Sequence, residues 1–353
     1  MHIRHLSPVN VVLALLAVAT MAEGAVTNRG VLTDDGPRAG WLDRYAEARQ
    51  GPEQVDRATQ SFKVGNDGSL DISGISGDVR VTGGSGNTIV VESIKRVRHR
   101  DPEEAKRMLA ALRVEITQTG SRVEVRTVYP RNRDRSWDRG MSASVDYIVS
   151  VPASAMAAVK SISGDVIVSS VKGQVRAETI SGDVSVTATP NLALAKTVSG
   201  DVIAKDIGGA SLLTLSTISG SVIATGLNVR ELECGSVSGD VRIAGVQVER
   251  ALAKSVSGSI EFDAPLSRGG RYEFTTHSGN VRLVLPAAPG FELDANSFSG
   301  SIRSDLPVTL RPGSDSDDRR RGTSRRAIRG AYGDGSALLS VRSHSGSVVI
   351  LKK

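Results

Sequence analysis

From residue 69 to the C-terminus apolar and polar positions alternate, and the alternation is broken at a constant place by Ser-Gly. Ten copies of one phrase result: ISGDVRV at Ile75, ISGDVIV at Ile162, ISGDVSV at Ile180, VSGDVIA at Val198, ISGSVIA at Ile218, VSGDVRI at Val237, VSGSIEF at Val256, HSGNVRL at His277, FSGSIRS at Phe298 and HSGSVVI at His344. Six and four residues before each Ser the chain is apolar, as at Leu70 and Ile72, Val175 and Ala177, or Leu232 and Cys234. Three after it stands Val or Ile, from Val79 through Val166, Val184, Val202 and Val222 to Val348. Spacing by two is the strand period, so each copy predicts two short strands meeting at Ser-Gly.

The apolar positions fall at even offsets before the Ser and odd offsets after it, which requires a bend at the junction. Gly77, Gly164, Gly182, Gly200, Gly220, Gly239, Gly258, Gly279, Gly300 and Gly346 are therefore structural corner glycines. Asp78, Asp165, Asp183, Asp201 and Asp240 follow them in half the copies, suited to bonding nearby turn amides. Two before the Ser, nine of the ten residues carry a hydroxyl.

Between Ser163 and Ser299 the Ser-to-Ser spacing is 18, 18, 20, 19, 19, 21 and 21 residues. Self-similarity at such a period marks stacked repeats. Ordering a residue costs about 1–2 kcal/mol of backbone entropy. The four or five inward apolar groups of one repeat return only about 1.5–3 kcal/mol each, so a lone repeat cannot fold. Stacked in parallel, repeats share ladder hydrogen bonds and bury each other's inner faces. The predicted fold is all-β: a single-stack parallel β-solenoid of about 18–21 residues per coil, with one short helix and a hairpin inserted near the N-terminal end. Right-handed winding is the default for parallel crossovers. Aromatic residues make up 3% of the chain, and the short turn implies a slim core without room for rings.

The ends and interruptions divide the chain further. Residues 1–24 hold a basic start, an apolar stretch from Val9 to Met21 and small residues before Ala25, and read as a signal peptide. That stretch is short for a membrane span, and no other segment approaches its length. Residues 25–60 are polar and read as a linker or N-terminal cap, and residues 61–353 form the solenoid domain. Within it, residues 95–150 interrupt the repeat. Asp101-Pro102-Glu103-Glu104 opens a helix whose stripe is Ala105, Met108, Leu109 and Leu112. RVEITQTGSRVEVRTVYP then reads as a hairpin about Thr119-Gly120-Ser121, and SASVDYIVSVP re-enters the solenoid. Residues 312–335 carry blocks of opposite charge without apolar periodicity and read as a disordered loop.

The net charge is +6, and removing residues 1–24 takes one Arg and one Glu and leaves it unchanged. Arg319, Arg320, Arg321, Arg325 and Arg326, joined by Arg329, are candidate anion-binding residues, and Lys95, Arg96, Arg98, His99 and Arg100 form a second basic cluster. A solvated charge run without a ligand is the commoner outcome for both. The Asp column is not a calcium site by spacing, because calcium-binding β-rolls repeat every nine residues. His277 and His344 precede corners that the sequence separates by several coils, too far apart to share an ion. Cys234 falls in an apolar column and reads as a core residue. No catalytic residue, metal site or cofactor site is expected.

The repeated (T/S)(I/V)SG(D/S)V phrase, preceded in order by VESIKRVRH, DPEEAKRMLAAL, the hairpin and VDYIVSVPA, resembles the bacterial putative-adhesin family, a β-solenoid domain family of unknown function. The resemblance spans roughly residues 61–353. It implies an exported or envelope-associated, non-catalytic protein, and supplies no ligand-binding residues. The expectation is an exported non-catalytic β-solenoid located in the periplasm, at the cell surface or outside the cell. Its expected partner is an envelope polysaccharide, an anionic surface or another envelope protein, with no specific nucleic acid and no transmembrane span after signal removal. Two alternatives stand: a polysaccharide-acting β-helix enzyme, and an electrostatic binder of anionic envelope polymers through the Arg-rich segments.

Overall fold

The computed structural model describes residues 52–65, 67–130, 142–310 and 326–353. The expected signal peptide of residues 1–24, most of the polar segment after it, and Arg319, Arg320, Arg321 and Arg325 lie outside these residues. The compact unit spans Arg49–Lys353. Its first part runs through strands β1 (Glu53–Lys63), β2 (Ser69–Ser73), β3 (Val79–Gly84) and β4 (Thr88–Arg98), helix α1 (Pro102–Ala111), then β5 (Arg113–Thr119), β6 (Arg122–Val128) and β7 (Ser142–Pro152). Seven repeats follow as strand pairs: β8 (Met156–Lys160) and β9 (Val166–Ser169), β10 (Val175–Glu178) and β11 (Val184–Thr187), β12 (Leu192–Lys196) and β13 (Val202–Lys205), β14 (Leu212–Ser216) and β15 (Val222–Thr225), β16 (Glu231–Ser238) and β17 (Val241–Ala244), β18 (Arg250–Ser257) and β19 (Ile260–Asp263), β20 (Arg271–Ser278) and β21 (Val281–Leu285). The last part holds β22 (Phe291–Ser297), β23 (Ile302–Ser304), β24 (Thr309–Leu310), β25 (Arg326–Tyr332), β26 (Ala337–Ser345) and β27 (Val348–Lys352).

The strands before the corners stack into one parallel sheet and those after them into a second, so the protein is a β-solenoid. Val166, Val184, Val202 and Val222 pair residue on residue in one vertical file, all fully buried. Leu70, Ala157, Val175 and Leu213 line the facing sheet, and burial alternates along both. Each added rung converts exposed apolar surface into core at roughly 25 cal/mol per Å², which a single repeat cannot do alone.

Rung order in space departs from order in sequence at both ends. At the first end β2 and β3 sit inside, and the later strands β6 and β7 form a rung outside them. At the other end the last repeat, β26 and β27, is inserted between β20/β21 and β22/β23. The polar segment and charged loop also contribute strands. Residues 53–60, expected in a linker or cap, belong to β1 and pair antiparallel with β4, while Arg326–Tyr332, expected in a disordered loop, forms β25 against β22. Ala327 and Ile328 give that strand its apolar content, which the neighbouring arginines mask in the sequence.

The helix begins as its residues dictate. Asp101 accepts the Glu103 amide at 2.9 Å, and Ala105 and Met108 turn inward where α1 packs on β1 and β4. The slim-core expectation needs correction. Tyr147, Phe262, Tyr272, Phe274 and Phe291 are fully buried, with Phe262 centred 5.1 Å from Phe274 and 5.8 Å from Tyr272. Their rungs fall where the repeat lengthens to 21 residues or the stack ends, and the cross-section there is wide enough for rings.

Candidate functional site

Three files of interactions run along the stacked corners, two through nearly all of them and one through about half. The first uses the buried hydroxyl two residues before the Ser. Thr179 donates to the Gly164 carbonyl at 3.2 Å, Thr197 to Gly182 at 2.9 Å, Thr217 to Gly200 at 2.9 Å, Ser236 to Gly220 at 2.9 Å, Ser255 to Gly239 at 3.1 Å and Thr276 to Gly258 at 2.9 Å. In each case the acceptor belongs to the neighbouring rung, which explains why the position is hydroxylic.

The second file is the glycines themselves. Gly200 has φ 138°, a conformation that disfavours any side chain. A Cβ there would fall on the Gly182 carbonyl oxygen and 2.6 Å from its carbon. Conformation and close approach thus both demand glycine.

The third file is the aspartates, and it differs from the local turn capping expected. Asp78 Oδ1 accepts the Asp165 amide at 2.9 Å, Asp165 Oδ1 the Asp183 amide at 2.8 Å, Asp183 Oδ1 the Asp201 amide at 2.7 Å, and Asp201 Oδ1 the Ser221 amide at 2.7 Å. Asp240 does the same for Ser259 at 2.9 Å. The carboxylates tie rung to rung. Asp146 heads the file, with Oδ1 on the Asp78 amide at 3.1 Å and Oδ2 on Arg96 Nε at 2.8 Å. Sequence reasoning missed Asp146 because no Ser-Gly precedes it, and only the pairing of β3 with β7, which sets Tyr147 beside Val79, brings it into the file.

Outside these files, the residue just before each Ser lies on the outer side of the corner, exposed in most rungs and half-buried at Val198, Ile218 and Val237. In spatial order the column reads Ile75, Ile162, Ile180, Val198, Ile218, Val237, Val256, His277, His344 and Phe298. Ile162 and Ile180 are 49% and 51% exposed, and Phe298 is 44% exposed. Each rung therefore displays an aliphatic or aromatic group, a Ser hydroxyl and, in the first half, a carboxylate.

His277 and His344 are not several coils apart. Their strands are adjacent and in register, and their rings stack with centroids 4.6 Å apart and planes 4° from parallel. Phe298 stacks on the other face of His344 at 4.8 Å. The insertion of the last repeat, invisible in the sequence order, brings them together.

The remaining candidates are dispersed. Lys95 pairs with Asp56 at 3.1 Å, Arg96 with Asp146 and Glu53, and Arg98 with Glu53 at 3.3 Å, so three cations of the second basic cluster are engaged across β1, β4 and β7. Arg326 opens β25, and Arg329 pairs with Asp294 at 3.3 Å. Cys234 is buried, which raises its thiol pKa. Among the described residues no three His, Cys, Asp or Glu converge as a metal cage, and no helix is long and apolar enough to cross a membrane.

The stacked corners decide the family, since the Toastrack DUF4097 family profile matches residues 172–351, more than half of the chain. The chain belongs to the Toastrack DUF4097 family. No curated protein matches. Among solved structures, this Toastrack chain is similar to a putative adhesin from Bacteroides fragilis at 9% identity, covering 84% of this chain and 97% of that one with a TM-score of 0.41. It is similar to a putative lipid binding protein from Parabacteroides distasonis at 13% identity, 84% and 97% coverage and a TM-score of 0.39. A third, a putative cell adhesion protein from Clostridium sporogenes, is 8% identical, with 85% and 100% coverage and a TM-score of 0.24. Likenesses of this size carry no activity or ligand over to the Toastrack chain.

Proposed function

We propose that the protein is an exported, non-catalytic scaffold whose corner face binds a linear envelope polysaccharide. The observation that carries this reading is the outward column from Ile75 to Phe298, an aliphatic or Phe side chain in eight rungs and His277 and His344 in the other two, beside a Ser that is exposed in every rung but that of Ser76. Rungs repeat at roughly 4.8 Å, comparable to the length of one pyranose ring in an extended chain. Sugars present C–H faces together with hydroxyls, and a file of Ile or Val beside Ser and Asp offers a partner to each. The carboxylates of Asp78, Asp165, Asp183 and Asp201 favour an uncharged or amine-bearing polymer over an acidic one, because like charges in a row repel. The engaged cations of the Lys95–Arg98 cluster weaken the anionic-polymer alternative on that face.

Co-sedimentation of the protein with insoluble neutral, amine-bearing and acidic polysaccharides tests the reading. Retention on the first two is expected, with at least tenfold weaker retention of Ile162→Asp/Ile180→Asp, whose exposed positions leave the core intact. Equal retention of the double variant, or retention on acidic polymers alone, would overturn it.

A further inference from the structure

We propose that the outer edge of β1 joins two copies of this chain, strand to antiparallel strand, about a two-fold axis at Ala58. The argument starts from where the sheets end. Among the described residues the terminal strands are β1 and β23 of one sheet and β5 and β24 of the other. β23 has three residues, β24 two and β5 seven. Short terminal strands, Pro and bulges are ways in which a sheet avoids pairing with another chain. β1 has none of them. It runs eleven residues from Glu53 to Lys63, holds no Pro or Gly, and keeps unbroken register with β4 throughout.

The backbone groups that face outward from this edge can be named. The Val64 amide donates to the Asn87 carbonyl at 2.9 Å, and the Ser93 hydroxyl donates to the Ala58 carbonyl at 3.4 Å, so the even-numbered residues of this segment turn their backbone groups toward β4. Direction alternates along an antiparallel strand. Val55, Arg57, Thr59 and Ser61 therefore turn N–H and C=O away from β4, toward the open edge. The Lys63 carbonyl, of the same set, accepts from Gln118 Nε2 at 2.8 Å, which closes that end. The open run is Gln54 to Phe62, and its middle residue is Ala58.

A second copy fits this run in one register better than in its neighbours. Two-fold antiparallel pairing keeps each side chain on its own face of the sheet, so the axis passes through a residue that meets itself. With the axis at Ala58, Val55 meets Ser61 of the second copy, Asp56 meets Gln60, Arg57 meets Thr59, and the small Ala58 meets Ala58. The outward groups of the Val55–Ser61 and Arg57–Thr59 pairs then exchange two N–H···O bonds each. An axis at Asp56 or Arg57 sets like charges directly opposite, which destabilises a ladder, and an axis at Thr59 pairs fewer residues. The charges of β1 do not oppose approach, since Asp56 pairs with Lys95 at 3.1 Å and Arg57 with Glu92 at 3.8 Å within one molecule. This inference stands apart from the polysaccharide reading, and either can fail without the other.

Light scattering of the purified full chain, with wild type expected as a dimer, tests the interface. Ala58→Lys and Ala58→Glu each set like charges on the axis at an exposed position. Each should dimerise at least tenfold more weakly than wild type, and an equimolar mixture of the two should recover the dimer because Lys then meets Glu. A monomeric wild type, the outcome if this edge pairs with another part of the chain or with a different protein, would overturn the proposal. So would charge variants that dimerise like wild type, or a mixture that stays monomeric. Should a charge variant not fold, cross-linking decides. Opposed residues of a non-hydrogen-bonded pair have Cα atoms about 4.5 Å apart, within the reach of a disulfide, so Ala58→Cys is expected to oxidise to a covalent dimer. Gln60→Cys, also exposed, would sit about 13 Å from its counterpart and should not. A covalent dimer from both cysteine variants, or from neither, overturns it.

Discussion

Thr197 donates its hydroxyl proton to the carbonyl of Gly182 at 2.9 Å, and a Cβ on Gly200 would fall on that same carbonyl oxygen. One acceptor therefore constrains two positions of the next rung. Gly200→Val is expected to destabilise the protein by several kcal/mol, combining a φ of 138° with a backbone clash that no rotamer relieves. Thr197→Val keeps the shape and removes only the donor, and should cost about 1 kcal/mol because the part-buried Gly182 carbonyl loses a partner. Urea unfolding of both variants checks the pair. A Gly200→Val protein as stable as wild type would mean that adjacent corners do not approach this closely.

Tyr147, buried in the outer rung of the first end, shares a 2.7 Å hydrogen bond with Thr127. Burial pushes its pKa from 10.0 up to about 12, with Tyr129 adding to the rise and the Thr127 bond opposing it. Below pH 10 folded and unfolded states both keep the proton. Between pH 10 and about 12 the unfolded chain releases it while the folded chain holds it, so stability falls as pH rises through that window. Tyr147→Phe should flatten part of this alkaline loss, leaving the share of Tyr129, whose pKa burial also raises. At neutral pH the variant should be about 1 kcal/mol less stable, since Thr127 loses its partner. Stability curves from pH 8 upward decide it, and an unchanged alkaline slope counts against this assignment.

The repeating part of the fold was legible because its causes are local. Val166 and Val184 share a column since the strand period and a constant spacing dictate it, and the hydroxyl column was countable in the sequence although its acceptor, the Gly carbonyl of the neighbouring rung, was not. What stayed hidden is non-local. A second corner column with positive φ, Ser170 at 59°, Ala188 at 52°, Asp206 at 55°, Gly226 at 66° and Gly245 at 61°, mixes residue types, and two glycines in five repeats were too few to announce it. Asp146 joined the aspartate file from a strand without Ser-Gly. His277 and His344 meet only because the last repeat is inserted inside the one before it, an order in space that the order in the chain does not show.

That skip is itself testable through covalent reach. Ser278 and Ser345 pair on adjacent strands, whereas Ser299 bonds through its amide to His344 and lies one rung further out. Adjacent strands sit roughly 4.8 Å apart, within the 4.4–6.8 Å range of Cα separations that a disulfide usually spans. Two rungs are roughly 9–10 Å, beyond it. Ser278→Cys/Ser345→Cys is therefore expected to oxidise to a bridged species visible as a mobility shift on a non-reducing gel, while Ser278→Cys/Ser299→Cys remains reduced. Cys234, the only native cysteine, is buried and does not compete. If the repeats instead followed one another in sequence order, Ser299 would be the neighbour of Ser278 and the two double variants would exchange behaviour.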